Sequence, residues 1–275
     1  LRRVLVPAER AHPPDSRNVA HLWRLLSAPL LVFLLLPLVA LLTRTSLEQI
    51  IASLGQEPVR QAVALSFGTT LVSAALIVAL GTPVAYLLSG RRGRWLRLID
   101  TVVDLPTVLP PSVAGIALLL AFGRRGVLGP LLNTLDISVA FTTLAVVLAQ
   151  TFVAAPFYIK AATIAFESID ADLLQAAALD GADHWATFRH ITGPLAWPGL
   201  VSGMVMSWAR ALGEFGATIL FAGNLPGVTQ TMPLAIYVGF EVRLENAITL
   251  SAILMALSFT ALLLAKALLR RGERI

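Results

Sequence analysis

Long apolar runs separated by short polar stretches fill this chain, and they leave one medium in which it can fold. Residues 22–43, 62–88, 139–164, 195–221 and 247–269 are each long enough to cross a hydrocarbon core, which takes about 20 apolar residues. Another run, DLPTVLPPSVAGIALLL, is interrupted by Pro106, Pro110 and Pro111. With 57% hydrophobic residues, 13% charged and a mean hydropathy of +0.79, the 275 residues lack the polar surface to cover a soluble globule. In lipid every backbone polar group must be satisfied within the protein. The expected fold is therefore all-α and integral to the membrane, with six transmembrane helices in one domain. The run over 22–43 is too long for a signal-peptide core and lacks a small-residue cleavage site, so it reads as a permanent span.

Positive charge sets the expected orientation. Arginines gather in a basic, proline-containing tail over 1–21 (Arg2, Arg3, Arg10, Arg17), in the turn RRGRWLR from Arg91 to Arg97, and in a tail over 270–275 (Arg270, Arg271, Arg274). Six spans across 22–269 place all three on one side, and the positive-inside rule makes that side the cytoplasm, with both termini there. The net charge of +5 is not laid out as a basic stripe interleaved with aromatics, so the expected partner is the lipid bilayer and not nucleic acid. The absence of cysteine excludes disulfides, iron–sulfur sites and thiol catalysis. No GxSxG occurs, and the four histidines (His12, His21, His184, His190) fall in the tail and the central loop without a clustered ligand set. Neither a catalytic group nor a metal site is expected.

The central polar segment, DADLLQAAALDGADHWATFRHITGPLAWP over 170–198, reads as a helix-turn-helix knob. Asp170 or Asp172 can cap a first helix, Gly181 suits the left-handed residue that ends it, and Asp183 can cap a second, with Gly193 and Pro194 as its stop. Ala176, Ala177 and Ala178 offer a flat surface, and Trp185 and Phe188 offer aromatic anchors for a partner. This segment resembles the cytoplasmic coupling loop of ABC importer permeases, whose pattern is Glu-Ala-Ala, three residues, Gly, nine residues, then Ile-x-Leu-Pro. Gln175, Ala176 and Ala177 stand in the first places, Gly181 follows after three residues, and Ile191 to Pro194 follow after nine more. Gln175 replaces the glutamate and Gly193 the leucine, which removes any salt bridge made by that carboxylate but not the helix. The resemblance implies a type I permease fold, with a coupling loop at about 166–194 that uses Gln175, Ala176, Ala177, Gly181, Trp185, Phe188, Ile191 and Pro194 to engage an ATPase.

Two features bear on a pathway. The prolines near the start of the third span break or bend it, either as a plain interfacial kink or because non-helical backbone there lines a wet cavity; on the second reading Thr107, Ser112 and Gly115 line it. In the fifth span Arg210 and Glu214 stand four residues apart on one helical face at hydrocarbon depth. An unpaired charge there costs at least ~2.5 kcal/mol, so they pair, and the pair either locks helices together or tempers the field along an anion's path. RALGEFGATILFAGNLPGVTQTMPLAIY and LPTVLPPSVAG resemble permeases for molybdate and tungstate, and more loosely those for sulfate or thiosulfate. That resemblance implies a homodimer in a bacterial or archaeal plasma membrane. Two cytoplasmic ABC ATPases would carry the ATP and Mg, and an extracytoplasmic oxyanion-binding protein would deliver the substrate. The chain has no GxxxxGK[ST], so no cofactor is expected on it and it is not an enzyme by itself. An ion-coupled secondary transporter would carry more intramembrane acids than Glu214 and an internal repeat; an intramembrane hydrolase would need a nucleophile with a base.

Overall fold

The computed structural model describes residues 16–90 and 93–272. Arg2, Arg3, Arg10, Arg91, Arg92 and Arg274, on which part of the topology argument rests, lie outside the described residues. The chain divides into two units, residues 1–46 and 47–275. The first contains helix α1 (Ser16–Thr43), which runs through Pro29 and Pro37 and includes an apolar stretch, Leu25–Thr43, long enough to cross a membrane. Thr43 and Thr45 close its end by donating hydroxyl hydrogen bonds to Ala40 O and Leu41 O.

Among its described residues the second unit is built of helices joined by turns and short irregular stretches, with no strand. A short α2 (Leu47–Leu54) leads into α3 (Glu57–Ser89), with Pro58 in its first turn, where a missing N–H is harmless. Next come α4 (Arg94–Val108), α5 (Pro111–Phe122), the short α6 (Gly129–Thr134) and α7 (Thr143–Glu167). The central loop carries α8 (Ala171–Leu179) and α9 (His184–Thr187). Then follow α10 (Gly193–Leu212), α11 (Gly216–Phe221), α12 (Met232–Val242) and α13 (Leu244–Gly272). Of these α3, α7 and α13 are long and apolar enough to cross a membrane, and α4 with α5 forms a pair bent by 117°, the shape of a broken span or a re-entrant loop. The stretch expected as one helix over 195–221 is divided between α10 and α11. Residues 44–60, between the first two apolar runs, hold α2 and the start of α3, and α12 lies between the fifth and sixth runs, outside every expected span.

Helix α7 is the centre of the unit, with α3 and α10 packed along it, α13 against α10, and α5 paired with α11. Small residues permit the close approach of α10 to α7. A Cβ on Gly203 would lie 2.7 Å from that of Ala161, and one on Gly199 would lie 2.5 Å from that of Ala165. The two glycines, one turn apart, thus face two alanines one turn apart, the small-residue packing that lipid-embedded helices use in place of a hydrophobic drive. Hydrogen bonds stitch the same three helices. Ser73 on α3 donates to Gln150 Oε1 on α7 at 3.0 Å, Trp208 Nε1 on α10 donates to Thr70 Oγ1 at 3.0 Å, and Ser207 donates to Ala154 O at 2.8 Å. Tyr158, 1% exposed, shares a 2.6 Å hydrogen bond with Thr82 Oγ1. Interhelical bonds of this kind average about 0.6 kcal/mol and reach about 1.7. Tyr158→Phe and Thr82→Val are accordingly expected to lower stability within that range, and the double variant to fall short of their sum in thermal unfolding.

Candidate coupling loop and pathway residues

The central loop begins where α7 ends. Asp170 accepts from the Asp172 N–H at 2.9 Å and opens α8. Gly181, at φ +81°, ends it in the left-handed region, and the Ala182 N–H closes back on Ala177 O at 3.0 Å. Asp183 then accepts from the Ala186 N–H at 2.6 Å and opens α9. The expected stop at Gly193 and Pro194 does not occur. After α9 the chain passes through a π turn, Phe188–Thr192, in which the Gly193 N–H reaches Phe188 O, and continues without interruption into α10. Pro194 sits in the first turn of α10, where the donor it lacks is least missed, and the wider turn absorbs the change of register. The second loop helix and the fifth apolar run form one continuous rod.

The loop's side chains divide between two directions. Gln175, Ala176 and Pro194 are exposed, Ile191 is half-buried, and Ala177 is buried, so the three alanines do not make one flat outward face. Phe188 turns into its own chain: its ring lies 5.3 Å from Tyr86 at the end of α3 and 6.3 Å from Phe166 at the end of α7. Trp185 stacks on its outer side at 5.9 Å and is 66% exposed. Phe188 therefore anchors the loop to the bundle, and Trp185 alone of the two is presented outward. Leu179, 89% exposed at the end of α8, is an outward apolar residue that was not singled out, although its place just before the turn was a signal. His190 Nδ1 lies 3.0 Å from Ala186 O, and among the described residues no group of three His, Cys, Asp or Glu side chains is placed to hold a metal.

The second feature is the interruption at Gly213, Glu214 and Phe215. Arg210 and Glu214 do pair, with Nη1 2.8 Å from Oε2, but not along one helical face, because α10 ends at Leu212. The other carboxylate oxygen of Glu214 accepts the Ala217 N–H at 2.8 Å and so caps α11. Each charge lies where a helix dipole favours it, the guanidinium at a C-terminal end and the carboxylate at an N-terminal one. Glu214 is 1% exposed and both its oxygens are bonded, whereas the Arg210 side chain keeps 31% of its surface open. This interruption packs on that of the third span. A Cβ on Gly216 would lie 2.6 Å from Pro111 Cβ, and one on Gly115 would lie 2.8 Å from Ala217 O. Gly115 is thus a close-contact residue between α5 and α11, while Thr107 and Ser112 are exposed, the Thr107 hydroxyl donating to Asp104 O.

Residues 77–272 match the family described as binding-protein-dependent transport system inner membrane component. The chain is 43% identical over 228 residues to the molybdenum transport system permease protein ModB of Mycobacterium bovis, covering 83% of this chain and 86% of that one. It is 36% identical over 259 residues to the probable transport system permease protein NifC of Clostridium pasteurianum, covering 94% and 91%. Its fold is similar to that of a bacterial ABC transporter involved in the import of the acidic polysaccharide alginate, with a TM-score of 0.70 over 95% of this chain and 98% of that one, at 17% identity.

Proposed function

Because the chain belongs to the family of binding-protein-dependent transport system inner membrane components, we propose that it is the membrane-spanning permease subunit of an ATP-driven molybdate importer. The observation that carries the substrate is the 43% identity, over most of both chains, to a molybdenum permease. Tungstate, a tetrahedral dianion of similar size, belongs to the same reading. The permease carries out no chemistry itself. ATP and Mg²⁺ are held by ABC ATPase subunits on the cytoplasmic side, and a binding protein presents the oxyanion from outside.

Two copies of the chain form the working permease in this reading. One bundle offers one loop, and an engine of two ATPases needs two. The termini and the loop lie in the cytoplasm, with Trp185, Leu179 and the exposed face of α8 against the ATPase. ATPase closure displaces the loop, and because α9 continues through the π turn into α10, the displacement reaches the interruption at Gly213–Phe215. Arg210, held by Glu214 and partly open, offers its remaining N–H groups to the passing dianion.

The test is uptake of labelled molybdate by vesicles holding the permease with its ATPase and binding protein. Unlabelled tungstate is expected to compete and sulfate in large excess to leave uptake nearly unchanged. Equal competition by sulfate assigns the chain to sulfate or thiosulfate import, and uptake that persists without the ATPase assigns it to ion-coupled transport.

A further inference from the structure

Lys160 carries a charge that neither the loop nor the Arg210–Glu214 pair accounts for. On α7, its Nζ lies 2.5 Å from Oδ1 of Asp100 and 3.0 Å from Oδ2 of Asp104. Those carboxylates stand one turn apart on α4, on the face that meets α7. Beyond a first turn that carries the exposed Arg94 and Arg97, the outward side of α4 is mostly apolar. Trp95, Leu98, Val102 and Leu105 recur at helical spacing and are 78%, 52%, 54% and 49% exposed. An apolar side turned outward with the carboxylates toward a neighbouring helix, where the Lys160, Asp100 and Asp104 side chains keep 37%, 46% and 44% of their surface open, is the pattern of a helix that meets lipid and not of one surrounded by water. No described residue of α4 is buried, though Val103 packs against the inner core. Apolar contact thus holds α4 weakly, and three charges fix it at one point.

That point lies between the loop and the bend that joins α4 to α5. Less than two turns further along α7, Phe166 touches Phe188 of the loop. In the other direction α4 passes through the 117° bend into α5, whose Pro111 and Gly115 pack against α11. We propose that the Lys160–Asp100–Asp104 cluster is a clamp that holds the broken third span to α7 and carries movement of the coupling loop to the bend in that span. Lys160 is a positioning residue with no contact to the oxyanion. The direction of coupling rests on the importer reading; the clamp itself is a statement about helix placement.

The chain has no cysteine, so cysteines introduced at Leu98 and Ile164, which are 52% and 65% exposed, can carry spin labels that report the α4–α7 distance in the assembled complex. Lys160→Met is expected to lengthen and broaden that distance and to lower uptake by roughly tenfold with basal ATP hydrolysis retained. Lys160→Arg is expected to restore both. A triple variant, Asp100→Asn, Asp104→Asn and Lys160→Gln, removes the clamp without stranding a charge, so it keeps the proposal testable where Lys160→Met fails to assemble; its distance is expected to lengthen and its uptake to stay low. An unchanged distance in the triple variant, or wild-type uptake by it, overturns the clamp. Failure of the wild-type complex to take up molybdate strikes the substrate assignment and leaves the distance measurement to decide the clamp.

Discussion

Arg210→Ala is expected to lower the stability of the detergent-solubilised protein by about 3–5 kcal/mol, the usual consequence of removing one partner from a buried ion pair. The magnitude follows from the asymmetry of the pair. Glu214 is 1% exposed, and without the guanidinium it keeps only the Ala217 N–H against a full negative charge. Glu214→Gln is milder, at about 1–3 kcal/mol: the amide oxygen still accepts the cap, and Arg210, already 31% exposed, can hydrate. Removing both charges, as Arg210→Met with Glu214→Gln, leaves no stranded ion and is expected to recover most of the stability lost in Arg210→Ala. Stability and uptake then separate the two roles of the arginine. If it only locks α10 to α11, the double variant transports as well as it folds. If it meets the dianion, thermal unfolding returns toward the wild-type temperature while vesicle uptake stays low. The second outcome is expected, because a pure lock has no need of a guanidinium with a third of its surface open.

What could be read in the residues was what neighbours in the chain decide. The apolar runs that became α1, α3, α7 and α13 were legible because hydrocarbon thickness sets their length, and their ends differ by a few residues. Asp170, Gly181 and Asp183 were legible because a cap or a left-handed turn is made within one helical turn. The interruption at Gly213–Phe215 was not, since Arg210 and Glu214 satisfy helical spacing whether the helix continues or stops; the difference is made by Pro111 packing against Gly216 from another span. Pro194 misled for a related reason. A proline marks a stop in mid-helix but is harmless in a first turn, and the π turn that turns one case into the other leaves no signature in residue types. Phe188 was read as outward because its partners, Tyr86 and Phe166, belong to other helices. The carboxylates that hold Lys160 likewise lie on another helix, Asp100 being 60 residues away along the chain.

The largest loss of transport without loss of fold is expected from the outward face of the central loop. Trp185, 66% exposed, and Leu179, 89% exposed, flank the Gly181 turn, Trp185 stacking on Phe188 and bordering an apolar hollow with Thr82, Pro83 and Tyr86 of α3, so Trp185→Ala with Leu179→Ala removes mainly outward apolar surface. Truncating anchors of this kind costs about 2 kcal/mol or more apiece in complex stability, a loss of binding of about thirtyfold each before any coupling between them. The isolated permease is expected to unfold at an unchanged temperature while failing to retain its ATPase on purification. Gly181 tests the geometry apart from the surface. At φ +81° a substituent meets nothing within 4 Å, so any effect there belongs to the backbone and not to a clash. Gly181→Val forces a β-branched residue into the left-handed region and is expected to splay α8 from α9, whereas Gly181→Asn, which tolerates that region, is expected to leave coupling nearly intact. Binding-protein-stimulated ATP hydrolysis lost in Gly181→Val and kept in Gly181→Asn makes the turn a working part of the coupling. Full stimulation in Gly181→Val, with the ATPase still bound, means that the two short helices need no fixed angle and that the ATPase grips the chain elsewhere.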